Sequence, residues 1–197
     1  MVNFARVLVA LDMSGMDQHL LELIGQLSAN EMFEKIYFLH VTPDFTVPTN
    51  IDAEFHKLFS QDYPVDERLR DKIALDVTEV IGELPGVDVS VEVREGNPYK
   101  KLMHWLEVKE VDLLVVGHKA KSEGSGITAR RVARHAPCNI LLVPPQSSAP
   151  KSILVPIDFS AASARALRTA IDLRKENPGL TIRALYIVDQ PPTDYYM

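Results

Sequence analysis

Asp12 closes an apolar run, Arg6–Leu11, and is followed by Ser14-Gly15-Met16-Asp17. A carboxylate at the end of such a run borders the crevice in which doubly wound sheets hold ligands. The small and acidic residues after it suit either a phosphate-gripping loop or a helix start. A second candidate is Gly117-His118-Lys119-Ala120-Lys121-Ser122-Glu123-Gly124-Ser125-Gly126-Ile127-Thr128. Glycines let backbone approach an anion, N–H groups at a helix start donate to it, and Lys119 and Lys121 add positive charge. The bland alternative for this segment is a solvated turn whose lysines face water.

Other reactive residue types form no catalytic pattern. The six histidines (19, 40, 56, 104, 118 and 135) show no His-x-x-x-His or His-Glu-x-x-His spacing and no pairing with cysteine, so a metal site is not expected. Cys138 is the only cysteine and reads as a small apolar packing residue. Arg130, Arg131 and Arg134 make a basic helix surface that water or an acidic partner could face. No motif unites a nucleophile, a base and an oxyanion donor.

The elements that position these residues follow from hydrophobic periodicity. Arg6–Leu11, Asp112–Gly117 and Asn139–Pro144 are nearly continuous apolar runs, as in parallel strands covered on both faces, and Lys35–Val41 reads likewise. Val87–Val93 alternates valine with Asp88, Ser90 and Glu92, which predicts a strand with one wet face at a sheet edge. Asn97 caps a predicted helix with Pro98 in its first turn and Tyr99, Leu102, Met103 and Leu106 on one stripe. A second stripe runs through Leu69, Ile73, Val77, Val80 and Leu84 after Asp66, and a basic helix is predicted over Gly126–His135. Thr42–Pro64 is proline-interrupted loop with a short helix at Asp52–Ser60. Alternating strands and helices give right-handed β-α-β units and a doubly wound α/β sheet.

The bulk numbers bound the function. The chain has 197 residues, 46% hydrophobic and 24% charged, and a formal net charge of −6, which argues against nucleic-acid and acidic-membrane binding. No apolar run nears the roughly 20 residues that span a bilayer, and the N-terminus lacks a secretory pattern. With one cysteine no internal disulfide forms, so a cytoplasmic location is expected.

An internal repeat sets the domain organisation. Val7–Ser14 (VLVALDMS) recurs as Ile153–Ser160 (ILVPIDFS), 146 residues on, and the same offset carries Leu39–Val41 to Leu185–Ile187. The expected organisation is a complete domain over 1–145, then a linker and a truncated second repeat over 146–197.

Four segments in order resemble the universal stress protein family. They are the Asp-ended first strand (VLVALD, ILVPID), the LHV end of strand two, Gly96–Gly117, and Arg130–Pro144 with its His-Ala-Pro-Cys. The resemblance implies a five-stranded parallel sheet in the order 3-2-1-4-5 with helices on both faces, plus a partial β-α-β repeat. It also implies a non-enzymatic stress-response protein that senses an adenine nucleotide, with ATP and Mg as the implied ligands and slow ATP hydrolysis as the upper bound on activity. ATP-binding relatives carry G-x2-G-x9-G-[ST] after strand four. Here Gly117 matches the first glycine, Ala120 replaces the second, and Gly126-Ile127 falls nine positions after Gly117, four fewer than in the motif. Shifting the match to Gly124-Ser125 restores the hydroxyl but shortens the loop further.

The nucleotide-binding residues so implied are Asp12, Val41 (through its backbone), Gly117, His118, Lys119, Ser125, Gly126, Ile127 and Thr128. The edge strand Asn139–Pro144 is apolar on both faces, and relatives dimerise through it, which implies a homodimer. Two other functions stay open: a dimeric interaction module that binds no nucleotide, and an ATP-dependent adenylating enzyme using Ser14-Gly15-Met16-Asp17 as a strand-one phosphate loop. The repeat counts against the latter, because Gly15 and Asp17 become Ala161 and Ser163 in the second copy. The glycine-aspartate pair is therefore expected to be incidental, and attention moves to Asp12 and Gly117–Thr128.

Overall fold

A computed structural model describes residues 4–28, 33–42, 65–118, 127–145, 148 and 150–188. The expected short helix at Asp52–Ser60 and the loop residues Lys119–Gly126 lie outside these. In chain order the elements are β1 (Arg6–Leu11), α1 (Met16–Ser28), β2 (Lys35–Thr42), α2 (Val65–Ile81), β3 (Asp88–Glu95), α3 (Pro98–Val108), β4 (Leu113–Gly117), α4 (Ile127–His135) and β5 (Asn139–Val143). A second set follows: β6 (Ser152–Pro156), α5 (Ala161–Glu176) and β7 (Thr181–Leu185). The chain divides into two compact units, Asn3–Ser148 and one built on Ala149–Met197.

In the first unit five parallel strands lie in the order β3-β2-β1-β4-β5. Strand alternation splits the core into two layers. Leu8, Tyr37, Leu39 and Leu114 point to one face and pack with Leu102, Trp105 and Leu106 of α3 and Val132 of α4. Their neighbours Val7, Val9, Ile36, Phe38 and Val115 point the other way and are fully buried, on the face where α1 and α2 pack. Successive strands step one way from β1 to β3 and the other way from β3 to β5, so right-handed crossovers place α1 and α2 on one face and α3 and α4 on the other.

Local signals explain the ends of several elements. Asn97 accepts the Lys100 N–H at 3.1 Å as the cap of α3, and Pro98 sits where its missing N–H costs nothing. β3 is an edge strand, as its alternation predicts, but burial along it is graded. Val89 is exposed and Val93 buried, so the valine face is covered only toward the end of the strand that bears the crevice.

The second unit pairs β6 with β7 in parallel, Ile153 opposite Ile182, in the same register as Val7 opposite Ile36. Leu154 and Leu185 are nevertheless 61% and 43% exposed, against 0% and 1% for their counterparts Leu8 and Leu39. β7 stops at Leu185, whereas β2 continues through Thr42, where His40, Val41 and Thr42 pair with β3. Among the described residues the second unit has no strand in that place, so Tyr186 and Ile187 end outside the sheet.

Candidate crevice at the strand ends

Parallel pairing brings the C-terminal ends of β2, β1 and β4 together. Leu11 pairs with His40 and Ala10 with Val116. One step further along each strand sets Val41, Asp12 and His118 in a row across the sheet edge. Gly117, paired with Val143, stands beside Leu11, and the first turn of α4 begins at Ile127 with Thr128 half-buried. Next to this row, Ala10, Val41 and Val116 are only partly buried above the Trp105 cluster. Of the residues expected to hold a nucleotide, Asp12, Val41, Gly117, His118 and the helix start at Ile127-Thr128 thus come to one edge. Lys119, Ser125 and Gly126 lie outside the described residues.

Gly117 has a packing reason to be glycine. A Cβ there would lie 2.6 Å from Cγ of Met16, so the end of β4 and the start of α1 touch without room for a methyl group. Gly117→Ala is expected to destabilise the unit by about 1–3 kcal/mol. Adding Met16→Ala should recover part of that loss in a double-mutant cycle read by denaturant unfolding.

His40 is buried and its Nδ1 lies 3.0 Å from the Leu11 carbonyl, so Nδ1 carries the proton and donates. The ring ties β2 to β1 just below the row. Exposed His118 is held through its backbone, whose N–H donates to Val143 O at 2.7 Å. Among the described residues no cluster of His, Cys, Asp and Glu could hold a metal ion.

The loop after β1 differs from the expectation that Asp17 is incidental. Its carboxylate accepts two backbone N–H groups, Asp12 N–H on Oδ1 at 3.1 Å and Met13 N–H on Oδ2 at 2.7 Å. Ser14 Oγ donates to Asp12 and accepts the Met16 N–H at 3.3 Å. Its carbonyl takes the Asp17 N–H. In the second copy Ser160 caps α5 by accepting the Ser163 N–H at 3.1 Å, and Ser163 Oγ stands 3.4 Å from Asp158 N. Both turns hold a non-glycine residue in the left-handed region, Met13 at φ 59° and Phe159 at φ 63°. The sequence carried a signal for this: at the repeat offset a hydroxyl, Ser163, faces a carboxylate, Asp17, in the position that closes the turn.

Burial raises the Asp17 carboxyl above the ordinary aspartate range, against the opposing pull of the Asp12 and Met13 N–H groups. A raised folded-state value favours folding at pH below the unfolded midpoint, and that contribution disappears as pH rises through the folded midpoint. Asp158 is the reverse case, lowered to about 2 by hydrogen bonds from Ser160 and Ser163, so its contribution is present above the unfolded midpoint and lost as pH falls toward 2. A carboxyl carbon-13 titration should show these two aspartates on opposite sides of the usual range.

A cavity of about 360 Å³ opens between the β1–α1 loop and α2. Met13, Ser14 and Asp17 line one wall, and Lys72, Asp76 and Glu79 contribute to the other. Among the described lining residues, three carboxylates against one ammonium make it unfavourable for anions. Among the described residues no helix is long and apolar enough to cross a membrane.

Comparison with known proteins bears on both units. A universal stress protein from Archaeoglobus fulgidus aligns with 98% of this chain over 70% of its own, at 17% identity and a TM-score of 0.71. UspA from Lactobacillus plantarum aligns with 73% of this chain over 99% of its own, at 18% identity and a TM-score of 0.57. A universal stress protein solved in complex with cAMP aligns with 71% over 96%, at 19% identity and a TM-score of 0.50. At these identities the likeness is one of fold. No curated protein matches the chain. The sequence model described as "Universal stress protein family" matches residues 3–144 and again 150–196, leaving 145–149 between the two matches. With that model matched twice and the sheet order 3-2-1-4-5 in place, the chain belongs to the universal stress protein family.

Proposed function

We propose that the protein is a non-enzymatic stress-response sensor that binds an adenine nucleotide in the crevice over the ends of β2, β1 and β4. The observation that carries this reading is the row Val41–Asp12–His118, flanked by the partly uncovered Ala10 and Val116 and by the start of α4. The Val41 backbone and the apolar surface beside it receive the base. Asp12 holds the sugar, and Gly117, His118, Lys119, Ser125, Gly126, Ile127 and Thr128 surround the phosphate, with ATP and Mg as the first ligands to test. A structural neighbour solved with cAMP supports an adenine ligand. The output is a change in partner binding, in the cytoplasm, where Cys138 stays a thiol.

Domain 1–145 carries the site, and 146–197 holds a linker and elements of a second repeat. Self-association runs through β5, an edge strand of the sheet, with Leu142 exposed on it. Light scattering over a range of concentrations should show dimers. The adenylating alternative loses ground on one observation. The N–H groups of Asp12 and Met13, which a strand-one phosphate loop would use, are taken by Asp17.

The direct test is titration calorimetry with ATP, with and without magnesium. Binding that Asp12→Ala and Gly126→Val each weaken is the expected result. The absence of heat and of any thermal shift would leave an interaction module that binds no nucleotide.

A further inference from the structure

The two copies fasten the same turn with different chemistry. In the second, the neutral hydroxyl of Ser163 sits beside the Asp158 N–H and donates to Ser160 O at 3.1 Å. In the first, the Asp17 carboxylate takes the N–H groups of Asp12 and Met13 together. Hydroxyl and carboxylate therefore support one backbone path, with Met13 and Phe159 both left-handed. Both copies share the strand-end aspartate, Asp12 or Asp158, and only the Asp17 fastening adds a second negative charge at the strand ends, where a doubly wound sheet receives ligands.

Two consequences follow for an anion near that loop. The strand-end N–H groups are already hydrogen-bonded, so a phosphate cannot use them without displacing Asp17. The charge acts together with Asp76 and Glu79 across the adjoining cavity, where Lys72 is the only cationic side chain among the described lining residues. Like charges in a partly desolvated setting repel far more strongly than in bulk water.

Building on the nucleotide-binding reading above, we propose that Asp17 is a specificity-determining residue. Its carboxylate acts as a charge filter at the β1 loop and makes the crevice favour a nucleoside or a singly charged nucleotide over a triphosphate. The filter works by occupancy and repulsion and needs no contact between Asp17 and the ligand.

The test compares adenosine, cAMP and ATP as calorimetric ligands of the full chain and of Asp17→Ser, the residue that holds the second turn. The expected result is that the affinity for ATP relative to adenosine rises roughly tenfold in the variant, with cAMP intermediate, and that the gain shrinks as salt is added. Asp17→Asn, which removes the charge and keeps the side-chain shape, gives the same readout should the serine variant not fold. An unchanged ATP-to-adenosine ratio, with both ligands still bound, overturns the role of Asp17 and leaves the nucleotide site standing. No binding of any of the three ligands to either protein overturns both.

Discussion

Truncating Trp105 to alanine is expected to lower the unfolding free energy of the first unit by about 3–5 kcal/mol, read by denaturant unfolding. Trp105 is only 7% exposed at the centre of the layer that α3 places over the sheet. It meets Tyr37 of β2 edge-on, with ring centroids 5.8 Å apart at 77°. Such a pair adds about 0.5–1.5 kcal/mol beyond area burial. The Lys109 ammonium and Arg94 guanidinium lie 5.2 and 5.6 Å from the indole ring, so the substitution also strips two cations of an aromatic face. Leu8, Leu106 and Leu114 surround the site on rigid elements and cannot follow the missing ring inward. A loss below about 1 kcal/mol would mean that the layer collapses around the gap and is far more plastic than its packing indicates.

The second large effect is a contrast. Leu8→Ala should cost about 2–5 kcal/mol, while Leu154→Ala should cost less than about 0.5 kcal/mol. The two leucines share a repeat position, a strand type and a pairing register, with Leu8 opposite Tyr37 and Leu154 opposite Arg183. They differ in what covers them. Leu8 is at 0% exposure beneath α3 and α4, and Leu154 is 61% exposed. Because the chain has two units, each variant needs a local probe: Trp105 fluorescence for the first unit, and amide hydrogen exchange in β6 for the second. Equal losses at both positions would show that Leu154 is covered in solution.

This contrast also marks where sequence reasoning reaches its limit. Periodicity located the strands because continuous burial imposes a continuous apolar run, and β1 coincides with Arg6–Leu11. The sheet order came from the family resemblance, with the valine alternation of β3 as an independent sign of an edge. Asn97-Pro98 marked the start of α3 because capping chemistry is local. Tertiary contacts left weaker traces. Trp105 falls on the predicted helix but outside the stripe of Tyr99, Leu102, Met103 and Leu106, and it packs against Tyr37 of β2 and Arg94 of β3, with Lys109 one turn on as its local neighbour.

Gly117 is legible as part of a phosphate motif, yet the structure also ties it to Met16, a contact between segments about a hundred residues apart that no local pattern encodes. Asp17 escaped because a carboxylate just past a strand end reads equally well as helix-start decoration. Its two backbone partners appear only once the turn is folded.

The close seating of Met16 on Gly117 and the double hold of Asp17 on the end of β1 bear on more than stability. Together they pin the first turn of α1 to two neighbouring strands, so that side of the crevice is set before any ligand arrives. Ordering a long, mobile side chain on binding costs about 0.5–1.5 kcal/mol, and a wall already fastened spares that loss. The crevice is preorganised from the β1 side, which favours ligands that fit its standing shape over those that would require it to open.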